Sequence, residues 1–338
     1  MKATKSLLRA SIGGLAAVLI AIGAPLPAQA LTVRIAKQYG IAYLPLTVIR
    51  TQHLLEKLGR RQGLDIKAKW LQFTGGAEMN EALISGQLDI ASGGVSPAVL
   101  LWARTRGNLN VKGIAALTSM PNFLNTIDPK VKTIRDFTSK DRIAMPAAGI
   151  SLQAITLMMA AAKTFGPAEA KKLNPLTVSM SHPDGMAALL ARKAGITAHF
   201  TAPPYSFLEL EQPGVHRVLD SYTVLGGPHT FTLLWASGRF VHANPKIPPI
   251  IVAALRKADR FIIAHPGKAA QIYIASTHTP LTKAHLVRMI KNPEVRWTTE
   301  PQRTMKYARF MAKIGLIKKA PKNWKDLFFP AIHNEPGS

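Results

Sequence analysis

The chain has 338 residues, 47% of them hydrophobic, a formal net charge of +25 and no cysteine. That length and apolar content suffice for two lobes of ordinary domain size with filled cores. The missing thiols exclude disulfides, thiolate metal sites, cysteine nucleophiles and a lipid anchor on an N-terminal cysteine.

At the start of the chain, Lys2, Lys5 and Arg9 precede a mostly apolar run over residues 10–24, and Ala28-Gln29-Ala30 closes it with a small-x-small pattern. This order is that of a secretory signal peptide over residues 1–30, with cleavage expected after Ala30. The apolar run is short of the ~20 residues of a membrane span, and later apolar stretches such as 155–162 and 261–264 are shorter still. The expected product is a soluble exported protein, and with no tether to retain it the periplasm is the fitting compartment. Residues 1–30 hold three cations and no acid, which leaves +22 for the remainder. Those cations are scattered, and no block interleaves them with aromatics in the way that stacks bases. The charge therefore reads as a solvated basic surface able to draw anions inward, and nucleic acid is not an expected partner.

From residue 31 the text alternates between strand and helix. Residues 31–36 read as a strand, 44–58 as a helix, 66–73 as a strand, 77–85 as a helix, 88–92 as a strand, 95–106 as a helix and 112–117 as a strand. The pattern restarts with strand-like 122–127 and 141–145, and a helix capped by Ser151 that runs to Lys163. Strand 176–180, a helix from Ser181 to Ala191, strand 195–200, a helix to Leu210 and strand-like 215–222 and 230–236 follow. Helices are expected over 247–264, 266–275, 282–290 and 300–314, with Pro266 and Pro301 in first-turn positions where the absent N–H costs nothing. Strands and helices at this spacing imply mostly parallel sheets built from βαβ units. The expected organisation is a first lobe over 31–118, a second over 119–231 and a return to the first over 232–338. Two crossing segments, near 118–126 and 226–232, would form a hinge that closes on a ligand.

Open parallel sheets bind ligands beyond the carboxyl ends of their strands. There the turns Gln38-Tyr39-Gly40, Thr74-Gly75-Gly76 and Ser92-Gly93-Gly94 each carry glycine and each precede a helix. A helix N-terminus offers unpaired N–H groups and a partial positive charge, a receptor for anions that needs no charged side chain. Residues 146–152 and His182-Pro183-Asp184 would face these turns from the second lobe. Other chemistry is poorly supported. The nucleophile elbow fails at Gly94-Val95-Ser96-Pro97-Ala98 and at Gly149-Ile150-Ser151-Leu152-Gln153, because both lack the final glycine. The histidines His182, His199, His216 and His229 show no ligand spacing for a metal, and no phosphate-binding loop is present.

Three stretches carry a family resemblance. They are Tyr39-Gly40-Ile41-Ala42-Tyr43-Leu44-Pro45, Thr74-Gly75-Gly76-Ala77, and the run 81–94 with its Ala82-Leu83-x-x-Gly86-x-x-Asp89 core. Together, and with similarity running through Trp324 to Pro330, they resemble the substrate-binding proteins of nitrate/sulfonate/taurine-type ABC importers. The resemblance implies a two-lobed α/β type II periplasmic-binding-protein fold, no catalysis and no cofactor. The expected role is capture of a small, anionic solute by lobe closure and its delivery to an inner-membrane permease, and the expected state is a monomer. Ligand contacts carry over to Gln38, Tyr39, Gly75, Gly76, Gly94, Val95, Ser96 and Ser151, with Asp184 matched by its place before a lobe-two helix and His182 added from its position at that helix start. The backbone at Gly75-Gly76 and Gly94-Val95 would hold the anionic end, Gln38, Ser96 and Ser151 would add side-chain hydrogen bonds, Tyr39 would cover the solute, and His182 or Asp184 would meet a second polar group. No cleft arginine marks a sulfonate binder, and the cysteine-rich motifs of related thiamine-precursor enzymes are absent. A sensory binding protein reporting to a receptor, or an exported enzyme using the same cleft, are the alternative readings.

Overall fold

A computed structural model describes residues 30–192, 195–279 and 281–338. The signal-peptide reading falls on residues that, up to 29, lie outside the described part. The first strand, β1 (Leu31–Lys37), is followed by α1 (Leu44–Thr51), α2 (Leu54–Arg61), β2 (Ile66–Gln72), α3 (Gly76–Ile84), β3 (Ile90–Gly94), α4 (Val95–Arg104) and β4 (Lys112–Ser119). The chain then enters a second sheet through β5 (Phe123–Thr126), β6 (Ile143–Met145), α5 (Leu152–Phe165), β7 (Thr177–Ser179), α6 (His182–Ala191), β8 (Ala198–Thr201), α7 (Tyr205–Leu210), β9 (His216–Asp220) and α8 (Ser221–Leu225). It returns by β10 (Thr230–Ala236), and continues through α9 (Gly238–Ala243), α10 (Ile247–Ala264), α11 (Pro266–Thr277), α12 (Lys283–Ile290), β11 (Arg296–Trp297) and α13 (Thr304–Lys313).

The first sheet has the order β11-β4-β10-β3-β1-β2 and the second β7-β6-β8-β5-β9. The strands joined by crossover helices are parallel, as with β1–β2, β1–β3, β6–β7 and β6–β8. The reversed strands in the body of each sheet are the two that carry the chain between lobes. β10 runs antiparallel to both β3 and β4, and β5 runs antiparallel to both β8 and β9. A strand reached by crossing from the other lobe arrives without a crossover helix, so nothing obliges it to point the same way.

Local departures from the sequence expectation have local causes. Residues 44–58 do not form one helix: His53 takes a left-handed conformation (φ 51°) and splits the segment into α1 and α2. α1 buries Leu46, Val48 and Ile49 in the core, and the restart re-phases α2 so that Leu55 and Gly59 face inward. Glycine is needed at 59, where a Cβ would lie 2.7 Å from Ile66 Cδ1 of β2. Residues 215–222 are not strand throughout: the Asp220 carboxylate accepts the Tyr222 N–H at 2.8 Å and starts α8, which left-handed Gly226 ends. The last helix begins at Thr304, not near Pro301. Residues 300–303 instead run along β10, where Gln302 accepts from Thr230 N at 2.9 Å and donates to Thr230 Oγ1 at 2.8 Å.

No helix among the described residues is long and apolar enough to cross a membrane. The largest fully buried side chain, Trp235 on β10, anchors the first core and donates through Nε1 to Asn80 Oδ1 of α3 at 3.1 Å. Asn80 in turn donates to the Pro97 carbonyl of α4 at 3.1 Å. The core packing thus fixes where α3 and α4 point their N-termini.

Candidate functional site

The carboxyl ends of β1, β2 and β3 face the second lobe, and their glycine turns touch it directly. Ile41 N donates to the Pro203 carbonyl at 3.3 Å, and Gly40, at φ 113°, sits where a Cβ would be 3.3 Å from that oxygen. A Cβ at Gly75 would meet the Pro146 carbonyl oxygen at 3.1 Å, and one at Gly94 would meet Leu152 Cβ at 3.0 Å. Glycine at these places lets two backbones approach each other across the crevice. At these turns the two lobes are in direct contact.

The helix ends at the crevice are treated differently in the two lobes. α3 and α4 start at Gly75 and Gly94, neither of which has a side chain to cap the first amides. α5 and α6 are capped: Ser151 Oγ accepts from Ala154 N at 3.1 Å and Ser181 Oγ from Asp184 N at 3.3 Å. The open amides therefore belong to the first lobe. Beside them Ser96 Oγ is fully buried and has no hydrogen-bond partner among the described residues. Ser96 is the second residue of α4 and its side chain is buried, so it is not an exposed nucleophile.

The other residues expected at the site divide between wall and support. Gln38 is buried, donates to the Ser92 carbonyl at 3.3 Å and lies over Gly93, where a Cβ would be 2.5 Å from its Nε2. Gly76 packs on Pro97, and Val95 is buried. Ser151 spends its Oγ on its own helix. Asp184 accepts from Ser181 Oγ at 2.5 Å. His182 is buried, bonded to Thr201 Oγ1 at 2.8 Å and stacked on Tyr205 with ring centroids 5.7 Å apart. Burial, with His199 as a second cause, holds its pKa well below the usual histidine value. His182 is thus a neutral support behind Tyr205. Of the expected residues, Tyr39 and the start of α6 reach an open space: a cavity of about 370 Å³ between the lobes. Its lining includes Lys37, Tyr39, Pro183, Tyr205 and Tyr273.

Sequence reasoning missed Lys37, Tyr205 and Tyr273. Tyr205 follows Pro203-Pro204 at the end of β8, a strand-end position that could have singled it out. Tyr273 lies mid-helix on α11 and carries no local signal. Lys37 reads as an ordinary strand-end lysine; only the structure shows it 8% exposed, with burial as the main cause lowering its pKa to about 8.

Beneath the crevice, the crossing segments are bound to each other. Thr118 and Thr232 hydroxyls are 2.8 Å apart, Asn122 N donates to Ser221 Oγ at 2.9 Å, and His229 Nε2 meets the same oxygen at 2.9 Å. From α5, Gln153 donates to Asn122 Oδ1 at 2.9 Å. Burial lowers the His229 pKa to about 4. No group of three or more His, Cys, Asp or Glu able to hold a metal occurs among the described residues.

Two mixed α/β sheets flanked by helices, joined by two crossing segments and closed over a crevice at their strand ends, define the type II periplasmic-binding-protein fold. No protein-family model and no curated protein matches the sequence. Among solved structures, the chain is similar to the alkanesulfonate-binding protein SsuA from Xanthomonas axonopodis pv. citri bound to MOPS, at 18% identity over 90% of this chain and 98% of that one, TM-score 0.70. It is similar to the periplasmic nitrate-binding protein NrtA from Synechocystis PCC 6803, at 13% identity over 88% and 84%, TM-score 0.68. The periplasmic aliphatic sulphonate binding protein SsuA from Escherichia coli matches at 18% identity over 88% and 92%, TM-score 0.62. At such identities the likeness is one of fold.

Proposed function

We propose that the protein is the exported, periplasmic solute-binding component of an ABC importer, which captures a small anionic solute by lobe closure and presents it to a membrane permease. The observation that carries this reading is the crevice itself: glycine turns from three strand ends of one lobe in contact with the backbone of the other, beside a cavity lined from both. A cavity of about 370 Å³ lies within the ~300–1,000 Å³ of small-molecule sites. The similar folds described above belong to proteins that bind alkanesulfonates and nitrate, which supports an anion.

In this reading the uncapped amides at Gly75-Gly76 and Gly94-Val95 add positive potential that draws an anion into the crevice. Gln38 keeps the β3 turn in place, Tyr39 covers the cavity at its rim, and His182 backs the Tyr205 ring. Ser151 and Asp184 set the ends of the helices that close on the first lobe. The role in this reading is binding without turnover.

Thermal denaturation with millimolar nitrate, taurine, ethanesulfonate, benzoate and benzenesulfonate tests the reading. A ligand at a hundredfold excess over its Kd stabilises by about 2.7 kcal/mol, several degrees for lobes of this size. If anions leave the melting temperature unchanged and only cations or neutral sugars raise it, the proposal fails.

A further inference from the structure

The cavity between the lobes has a chemistry of its own, distinct from that of the glycine turns. Lys37 ends β1, is 8% exposed and donates from Nζ to Gln72 Oε1 at 3.1 Å. Among the described residues this is the one acceptor the protein gives it, although an ammonium carries three donors. Among the described residues no aspartate or glutamate lines the cavity, and the charge that acts on Lys37, that of Arg50, has the same sign. The other basic lining residue, His278, is exposed. A largely buried cation with one protein acceptor, facing a cavity with no acidic residue in its lining, favours an anion arriving from outside.

The remaining walls combine an aromatic and apolar part with a polar edge, Thr47 and Gln72 on one side and Ser276 to Thr279 on the other. Tyr39, Tyr205 and Tyr273 enclose the space with Met186 and Leu208. Tyr273 is 3% exposed, and Tyr205 is braced from behind by the His182 ring. Such walls reward a flat or apolar body. A bare inorganic oxyanion would use the ammonium and leave most of the tyrosine surface unmatched.

Building on the proposed role in solute capture, we infer that the ligand is a small monoanion with an aromatic or compact hydrocarbon body, its charged group paired with Lys37 and its body held among Tyr39, Tyr205 and Tyr273. One buried ammonium matches one negative charge. Lys37 thereby becomes a specificity-determining residue, and the chain is tuned away from nitrate and taurine.

The test is calorimetric titration of the full mature chain with benzoate, benzenesulfonate and cyclohexanecarboxylate, against nitrate, taurine and the neutral benzamide. The variants are Lys37→Met and Lys37→Arg. The expected result is binding of at least one of the three bulky anions and none of comparable strength for nitrate or taurine. Lys37→Met should weaken the bound anion about 10- to 150-fold while leaving benzamide unchanged or improved. Lys37→Arg should restore part of the loss. The ratio of anion to benzamide affinity separates charge recognition from any folding defect. Tight nitrate or taurine binding with no aromatic acid bound would overturn this inference and leave solute capture standing. A bulky anion that binds Lys37→Met as tightly as the native chain would overturn it too. Absence of binding by every anion would sink both.

Discussion

Closure of the lobes on glycine can be challenged with one methyl group. In Gly94→Ala the new Cβ would sit 3.0 Å from Leu152 Cβ, against ~3.5–4.0 Å for a comfortable carbon contact. The backbone at 94 is extended, φ −62° and ψ 155°, so alanine is accepted there without strain and the folded lobe is not itself disturbed. The N-terminus of α5 must therefore retreat from the β3–α4 turn by roughly 0.5–1 Å. Overpacking of this kind costs about 1–3 kcal/mol. It acts only on the closed arrangement, because opening the hinge separates the two residues. Whatever part of ligand affinity depends on closure should then fall about 5- to 150-fold. Calorimetric titration gives the affinity, and small-angle scattering with and without the solute gives the closure. The variant should bind more weakly, compact less on binding and melt within a degree or two of the native chain when free. Gly75→Ala, whose Cβ would lie 3.1 Å from the Pro146 carbonyl oxygen, should move in the same direction. Native affinity together with native compaction in Gly94→Ala would refute the idea that these turns are a closing contact.

Other consequences concern stability. His229 in the hinge has its pKa lowered to about 4, below an unfolded value near 6.5, so its contribution is full above pH 6.5 and is lost as pH falls toward 4, by about 3 kcal/mol. His229→Gln should start less stable at pH 7 but show a shallower acid limb in urea melts; a parallel slope would contradict this. Asp259 on α10 has its carboxyl pKa raised by burial to about 8. The unfolded chain then ionises first, and its contribution to stability falls as pH rises from about 4 to about 8. Asp259→Asn should therefore melt higher than the native chain at pH 8 and about equally at pH 4, and an equal difference at both would count against it. In the second lobe, the fully buried Glu209 bonds His199 Nδ1 at 2.5 Å and Asn125 Nδ2 at 2.9 Å. Glu209→Ala leaves His199 Nδ1 without its partner and Asn125 Nδ2 with only the Ser206 carbonyl at 3.0 Å, and should cost about 1–3 kcal/mol; no measurable loss in denaturant titration would show that the network relaxes.

Much of this architecture was legible from local pattern. The alternation of strands and helices, the Ser151 cap and the glycine after each of the first three strands depend on residues within a few positions of one another. Chain-local physics sets them: capping hydrogen bonds, steric freedom at glycine, and the period of apolar residues. The break at His53 was not legible, because Leu46, Ile49, Leu54 and Leu58 keep a tolerable helical spacing across it. The start of α8 was missed although Asp220 and Gly226 flank it as cap and stop, since the apolar run between them also suits a strand.

What the sequence by itself determined is the order of elements and the glycine-bearing turns at their ends. Only the tertiary structure decided which of those turns meet the other lobe, and that His182 backs a wall while Lys37 faces the cavity. The reason is physical. Burial and the lack of a counter-ion are properties of surroundings assembled from β1, α7 and α11, more than 200 residues apart in sequence from Lys37 to Tyr273, and no window along the chain contains them.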